Sequence, residues 1–277
     1  MNHASGSAWT RATAVALLGM LVLVGCGDNA ADNLTGPDSR RSPQGLPTFA
    51  EVQTALDQIV AQDNAGLGFN MWATIVDRAG VVQVIAFSGG SPVDQWPGSR
   101  VISAQKANTA NAFSLIAFPL STANLYSAVQ PGGSLFGLQE SNPVDITVAY
   151  DGKIDDYGTV RDPLVGHRIG GVNVFGGGFA LYSGTGDGDR ELVGALGVSG
   201  DTSCTDHIIG WKLRDALNLD NVPAGVSSTG DDNIIHDITD GSSAGGFGHP
   251  ECDGDGTAAG IAAGLPTNFP IAEEEAP

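Results

Sequence analysis

The chain has 277 residues, of which 42% are hydrophobic, and its 12 Lys and Arg stand against 31 Asp and Glu, a formal charge of −19. This balance excludes nucleic-acid binding through a basic surface, because neutralising phosphates needs clustered Lys and Arg. It also excludes adsorption to anionic lipid through a basic patch, and the hydrophobic fraction is too high for a wholly disordered chain. Residues 201–277 hold 14 of the acids and two bases. The acidity therefore describes mainly the C-terminal part of the chain.

The N-terminal segment has the features of an export signal. Residues 1–26 contain one charged residue, Arg11, and an apolar run over 14–24 that is too short to span a bilayer comfortably. The run ends in Leu-Val-Gly-Cys at Cys26, which resembles a bacterial lipobox, the site where a cysteine is lipid-modified after cleavage. We expect an exported lipoprotein of the cell envelope that touches the membrane only through this anchor. The alternatives are an ordinary secretory peptide with an incidental cysteine and a short membrane anchor.

Residues 27–47 are polar and rich in Asn, Asp, Gly, Pro and Ser, which predicts a disordered tether. The other two cysteines, Cys204 and Cys252, would then lie in an oxidising compartment. We therefore expect one disulfide between them. A pair of metal-binding thiolates is the alternative, although no C-x-x-C spacing supports it.

The first half of the globular part alternates helical and strand patterns. Thr48 and Glu51 form a predicted capping box for an amphipathic helix that runs to about residue 63. Two apolar runs around an Asp-Arg-Ala-Gly turn predict a β-hairpin. The predicted hairpin strands cover 71–76 and 81–87, and further helices are predicted over 100–118 and, capped by Ser121, over 121–129.

The second half begins with an irregular segment, 137–170, in which residues 146–150 could form an extra strand. Strands are predicted over 172–175, 178–182 and 191–198, and a last helix over about 204–217 follows good capping residues at 201–203. Residues 218–277 show little periodicity. Hairpins separated from helices in this order indicate an α+β fold rather than a doubly wound sheet.

Three segments together resemble a known family. They are TIVDRAGVV at 74–82, AQKANTA at 104–110, and LVGALGVSG at 192–200 followed by Asp206. In this order and spacing they resemble the GlcG/HbpS family of haem-degrading or haem-binding domains, over roughly residues 49–218. The resemblance implies a profilin-like α+β fold, an antiparallel sheet flanked by helices. Because some members form octamers, it also implies a homo-oligomer.

The resemblance divides the chain into a signal peptide and tether, a family-like domain, and an extension. The domain covers 48–218 with an insertion at 137–170, and residues 219–277 form a loop-rich acidic C-terminal extension. The family further implies a haem or iron ligand, with a role in haem or iron handling or in redox sensing. Asp206 matches the family's acidic position.

Two family-matched polar residues lie on the 100–118 helix. Lys106 and Thr109 match the family segment "KA.TA" and are candidate ligand-binding residues. A structural role is the alternative for Lys106, which could extend its stem along apolar surface or pair with an acid such as Asp77.

Two histidines are the candidate metal or haem-iron ligands. His207 lies three residues after Cys204, and His249 lies three residues before Cys252. A disulfide between those cysteines would bring both imidazoles into one neighbourhood, with Asp206 and Glu251 nearby. The alternative is that His249 and Pro250 form only a turn, and that the dipole of the helix explains Asp206.

Several other functions have weaker support in the sequence. The acidic loops at 187–191 and 253–257 lack the closing Glu of an EF-hand, although weak calcium binding stays open. The chain shows neither a dinucleotide fingerprint nor a nucleophile elbow. The alternatives to a haem or iron binder are a sensor or accessory module for a non-metal small molecule and, less favoured, an enzyme on a small metabolite.

Overall fold

A computed structural model describes residues 45–266 of the chain. The predicted signal peptide at 1–26, with Cys26, lies outside these residues, as does the predicted tether except at its last positions. Among the described residues, no helix combines the length and the apolar character that crossing a membrane requires. The described part is an antiparallel sheet flanked by helices, so the predicted α+β class is confirmed.

The helices and strands follow one another as α1 Phe49–Val60, β1 Trp72–Asp77, β2 Val82–Phe87, α2 Ser99–Phe113, α3 Ile146–Ala149, β3 Gly178–Ser183, β4 Glu191–Ser199, α4 Ser203–Ala216, β5 Ile238–Thr239, β6 Ser242–Ser243 and α5 Thr257–Ala263. The main sheet has the strand order β2-β1-β4-β3, and all its neighbours are antiparallel. One face of the sheet packs against α1 and α4, and the other face packs against α2 and the 137–170 segment.

The strongest local patterns in the sequence form the predicted elements. The Thr48 hydroxyl accepts the Glu51 N–H, and the Glu51 carboxylate accepts the Thr48 N–H at 2.7 Å, so the capping box is confirmed. The β1–β2 hairpin is confirmed, with Trp72 opposite Phe87. The last predicted helix is α4, which begins one residue earlier than predicted and is capped by Thr202.

Two predicted strands are wrong. Within the predicted strand at 146–150, residues 146–149 form the short helix α3, because the Asp145 carboxylate accepts the Thr147 N–H at 3.0 Å and fixes a helical turn there. Residues 172–175 do not join the sheet. Their N–H groups are taken by side chains instead, since Asn173 N–H donates to the Thr109 hydroxyl and Phe175 N–H donates to the Asn173 side chain.

The helix predicted over 100–118 ends at Phe113. Ser114 turns out of the helix, and its hydroxyl both donates to the Leu120 carbonyl and accepts the Leu120 N–H at 3.1 Å. These bonds close a tight loop that replaces the last helical turn. The segment predicted as a second helix over 121–129 forms two 3-10 turns, Thr122–Leu125 and Ser127–Val129.

The absence of a side chain at Gly197 lets α2 lie directly on β4. A Cβ at Gly197 would overlap the Ser103 carbonyl oxygen and lie 2.5 Å from the Ala107 nitrogen. The facing side chains of α2 are small and fully buried, as at Ala104 and Ala107. The helix and the sheet also share a buried hydrogen bond of 2.7 Å between the Thr74 and Ser103 hydroxyls.

Buried ion pairs fasten both of the irregular segments to helices. Arg100 of α2 pairs with Asp162 of the 137–170 segment, with Nε donating at 2.9 Å, and its guanidinium lies 3.7 Å from the centre of the Tyr157 ring. Arg214 of α4 pairs with Asp232 of the C-terminal segment through two bonds of 2.7 and 2.8 Å. Removing one partner of such a pair is costly because the other charge stays buried.

Gly197→Ala should destabilise the protein by about 1–3 kcal/mol or more, because the added methyl group forces α2 away from β4. Gly188→Ala is the matched control, since a Cβ there meets no atom within 4 Å. Urea unfolding followed by circular dichroism measures both. Equal stability of the two variants would contradict the close packing of α2 on β4.

Candidate functional site

The N-terminal end of α4 is organised by the buried carboxylate of Asp206. Its Oδ2 accepts a 2.6 Å bond from Lys106 Nζ, and its Oδ1 accepts the N–H groups of Gly200 and Asp201 at 3.1 and 2.9 Å. Lys106 Nζ also donates to the Val198 carbonyl at 3.0 Å. One ion pair therefore joins α2, the end of β4 and the first turn of α4.

The partner suggested for Lys106 in the sequence, Asp77, was wrong. Asp77 instead accepts the Ala79 and Val81 N–H groups of the β1–β2 turn, so its carboxylate is used locally. Asp206 and Lys106 are only 3% and 1% exposed. Burial raises the pKa of Asp206 to about 6 and lowers the pKa of Lys106, while the attraction between the two charges opposes both shifts. Neither side chain faces solvent where a ligand could reach it.

Thr109 also has an internal role in the structure. Its hydroxyl donates to the Gln105 carbonyl at 2.7 Å and accepts the Asn173 N–H at 3.0 Å, and the residue is fully buried. The family-matched pair on α2 therefore holds the β4 end and the segment before β3 in place.

The predicted disulfide between Cys204 and Cys252 is present. It fastens the C-terminal segment to the first turn of α4 and brings His249 against Ser203. His249 Nδ1 donates to the Pro250 carbonyl at 2.7 Å, so its Nε2 accepts from the Ser203 hydroxyl at 2.8 Å. The Ser203 hydroxyl in turn accepts the Gly176 N–H at 2.7 Å. These bonds fix the tautomer and the orientation of the imidazole.

His207 lies one helical turn after Ser203 and is fully buried. Its Nε2 is 3.1 Å from Asn233 Oδ1, while its Nδ1 has no hydrogen-bond partner. The rings of Phe179 and Trp211 lie 4.6 and 6.2 Å from the imidazole centre. The C-terminal segment thus covers His207 with Asn233, and α4 and β3 supply the apolar rings around it.

A third histidine, His236, lies close to His249 and was not among the residues predicted from the sequence. Its ring centre is 6.4 Å from that of His249, its Nδ1 is 3.3 Å from the His249 carbonyl oxygen, and its Nε2 is buried without a partner. No local signal marks it, because the segment around it has no periodicity. Burial lowers the pKa of His249 to about 4, and burial also lowers the pKa of His207 well below its usual value. Both imidazoles are therefore neutral at pH 7, the form that binds metals.

One set of potential ligands stands out within residues 45–266. The ligand atoms of Cys204, His249 and Cys252 all lie within 4.8 Å of one another. In that part of the chain, no set of three at this spacing includes His207, Asp206 or Glu251. The structure thus places His249 of the C-terminal segment against Ser203, one helical turn before His207 on α4, and it brings His249 rather than His207 to the cysteines.

The four histidines that the structure describes differ in their exposure to solvent. His207 and His249 are 0% and 2% exposed and His236 is partly buried, whereas His167 is exposed. A histidine that ligates haem iron must present a ring nitrogen on a side that is open to the porphyrin. The buried histidines do not fit a haem as they stand, because the C-terminal segment lies over them. His167 fits the requirement for access.

The family model described as "Haem degrading protein HbpS-like" matches residues 48–212. The chain belongs to the HbpS-like family. The resemblance seen in the three sequence segments is therefore confirmed, and the matched range contains the whole main sheet and all but the last turn of α4. His249, His236 and Cys252 lie beyond it.

Solved structures similar to the chain include one titled as a PduOC–haem complex and the protein ORFY of Klebsiella pneumoniae, described under DUF336. The first is 24% identical to this protein, and the matched region spans 61% of this chain and 91% of the solved chain, with a TM-score of 0.42. The second is 24% identical, covers 62% and 90%, and has a TM-score of 0.41. A comparison with curated proteins found no match.

Lys106→Met should cost about 3–5 kcal/mol, because it leaves the Asp206 charge buried and unpaired. Adding Asp206→Asn to that variant removes the unpaired charge, so the double variant should be more stable than Lys106→Met alone. Chemical unfolding of the single and double variants measures this recovery.

The pair of Arg161 and Asp156 supplies the control, since it lies at the surface with Arg161 71% exposed. Arg161→Met should change stability by less than about 1 kcal/mol. A Lys106→Met/Asp206→Asn variant that is no more stable than Lys106→Met would contradict the dependence of the two buried charges on each other.

Proposed function

We propose that this protein binds haem. The observation that carries the proposal is the match of the haem-degrading HbpS-like family model to residues 48–212. An exported member of such a family would serve haem or iron handling, or redox sensing, at the cell envelope. The family match leaves open which residue meets the iron, and the geometry of the histidines supports one choice.

We place the haem on the surface formed by residues 144–170, next to His167. This segment carries exposed apolar side chains that could cover a porphyrin face. They are Ile146, Tyr150, Ile154, Val160 and Val165, each between 37% and 67% exposed. His167 is exposed in the same segment and can present an imidazole to iron without any rearrangement of the chain.

The backbone around His167 is held by the sheet. The Val82 N–H donates to the His167 carbonyl at 2.9 Å, and the Gly166 N–H donates to the Val82 carbonyl at 2.8 Å. Asp145 N–H donates to the Ile169 carbonyl at 2.7 Å, which pairs the start of this surface with its end. The imidazole therefore projects from a fixed edge beside β2 rather than from a free loop.

The neighbouring charges suit an anionic ligand. Arg168 is exposed next to His167, and its Nε donates to the Ala79 carbonyl at 2.6 Å, which fixes the side chain at the β1–β2 turn. A guanidinium in this place could pair with a haem propionate. When bound, haem would supply the redox-active iron, while the chain would supply the imidazole, the apolar contact and the propionate partner.

Hemin titration of the purified full chain tests the proposal. Wild type should shift the Soret band at one equivalent of hemin. His167→Ala should weaken binding by at least about tenfold, because an axial ligand is lost. The matched comparison is the His207→Ala/His249→Ala double variant, which should retain the shift if it folds, as checked by circular dichroism.

Two results would count against the proposal in different ways. No Soret shift with wild type would refute haem binding. A shift that survives His167→Ala and is lost in a folded His207→Ala/His249→Ala variant would refute the placement and return the ligand role to the buried pair.

We also propose that the protein is exported and lipid-anchored through Cys26. The support is the apolar run at 14–24 followed by the lipobox-like Leu-Val-Gly-Cys. The polar residues 27–47 would then tether the domain to the envelope.

Labelling of cells with a radioactive fatty acid tests the anchor. The wild-type chain should carry label and fractionate with membranes, because its N-terminal cysteine is acylated. Cys26→Ser should lose the label, whereas Cys252→Ser should keep it. Labelling of Cys26→Ser at the wild-type level would contradict the anchor.

A further inference from the structure

We propose that Cys204 and Cys252 form a reversible redox pair whose reduced form binds one thiophilic metal ion, such as Zn²⁺, together with His249. The metal site and the disulfide are alternative states of the same two sulfurs. The inference does not depend on haem binding, because it uses a different part of the chain from His167 and is read out with a different ligand.

The arrangement of ligand atoms carries the proposal. The two Sγ atoms and a His249 ring nitrogen lie within 4.8 Å of one another, and Cys204 and His249 are buried. A tetrahedral zinc ion with bonds of about 2.0–2.3 Å draws its ligand atoms to within about 4 Å of one another. Two thiolates and one imidazole form a donor set that soft and borderline metals select. A fourth position stays open to water or a small ligand.

Hydrogen bonds hold the His249 imidazole in one tautomer and one orientation. His249 Nδ1 donates to the Pro250 carbonyl at 2.7 Å, which leaves the lone pair on Nε2. That nitrogen accepts from the Ser203 hydroxyl at 2.8 Å, and Ser203 would keep its bond from the Gly176 N–H if the metal took Nε2. A carbonyl that holds the second ring nitrogen is the usual outer support of a metal-bound histidine.

The two sulfurs differ in their exposure to solvent, and this difference decides which of them a reductant attacks. Cys204 is 1% exposed and is the second residue of α4, whereas Cys252 is partly exposed. A thiolate from solvent can therefore attack the Cys252 sulfur and expel Cys204. The first turn of a helix stabilises a thiolate, so Cys204 is the better leaving group.

The electron balance needs a dithiol reductant. Its first thiolate attacks the Cys252 sulfur, breaks the protein disulfide and forms a mixed disulfide, while Cys204 leaves as a thiolate. Its second thiol then attacks the reductant's own sulfur in the mixed disulfide and releases Cys252. The protein disulfide gains two electrons and two protons, and the reductant becomes a disulfide. Binding of Zn²⁺ then displaces the two thiol protons.

Contacts that do not involve the disulfide would keep the ligands in place after reduction. His249 N–H donates to the Ile235 carbonyl at 2.7 Å, and the Ser127 hydroxyl donates to the Gly248 carbonyl at 2.6 Å. Beyond Cys252, the Ala258 N–H donates to Asp253 at 2.7 Å. The buried pair of Arg214 and Asp232 anchors the same segment upstream. The segment that carries His249 and Cys252 is therefore held on α4 without the covalent bond.

Metal titration of the full chain in both redox states tests the proposal. The chain is reduced with a dithiol without oxygen, freed of reductant, and titrated with Co²⁺ and then Zn²⁺. The reduced protein should bind one equivalent, with the charge-transfer bands of thiolate–cobalt bonds, and Zn²⁺ should displace Co²⁺. The oxidised protein should show no thiolate–cobalt bands and should not bind an equivalent of metal.

Variants assign the ligands. His249→Gln keeps a polar side chain beside Ser203 but removes the imidazole, and it should weaken Zn²⁺ binding by more than the ~10–100-fold that is typical of losing an outer support. His236→Ala is the matched control and should keep wild-type affinity. Cys204→Ser/Cys252→Ser should show no thiolate bands. Circular dichroism confirms that each variant is folded.

Three results would overturn the proposal. The first is a native disulfide that the dithiol does not reduce. The second is a reduced protein that binds no more Zn²⁺ than the oxidised one. The third is a folded His249→Gln variant with wild-type affinity. Hemin binding by the oxidised chain is measured in parallel, so a failure here is separate from a failure of the proposed haem function.

Discussion

The buried ion pair of Lys106 and Asp206 is the interaction on which the arrangement of this protein depends. A charge in the interior is stable only when its partner and its other hydrogen bonds are supplied in full. Asp206 receives them from Lys106 and from two N–H groups after β4, and Lys106 also reaches the Val198 carbonyl. The pair therefore fixes how α2 and α4 meet across the end of β4, at the place where Gly197 allows the close approach of α2.

The C-terminal segment packs along α4 from its first turn to its last. Arg214 with Asp232, the disulfide and the bonds of His249 all fasten that segment to one side of the helix. The consequence is that the segment seals the histidines around α4 from solvent. A large planar ligand is excluded there, while a single ion that replaces the disulfide is not. The 144–170 surface, which carries exposed apolar residues and His167, is free of this cover.

Local signals predicted the parts of the fold that local contacts decide. The capping box at Thr48, the β1–β2 hairpin and the start of α4 each depend on residues within a few positions of one another, so their pattern was enough. The disulfide was also predictable, from compartment and cysteine number. Partners that lie far apart in the chain left no such trace, and they include Asp162 for Arg100, Asp232 for Arg214 and His236 beside His249. For the same reason, the sequence suggested Asp77 as the partner of Lys106, whereas the structure pairs Lys106 with Asp206.

For the haem binding that we propose, the solvent access of a histidine, rather than the number of potential ligands near it, would decide where the haem lies. Crystals of the full chain grown with hemin test it most directly, because anomalous scattering at the iron absorption edge locates the metal without any assumption about the site. We expect a single iron peak bonded to the His167 imidazole, on the apolar surface of residues 144–170. An iron peak beside His207 or His249, beneath a displaced C-terminal segment, would contradict it.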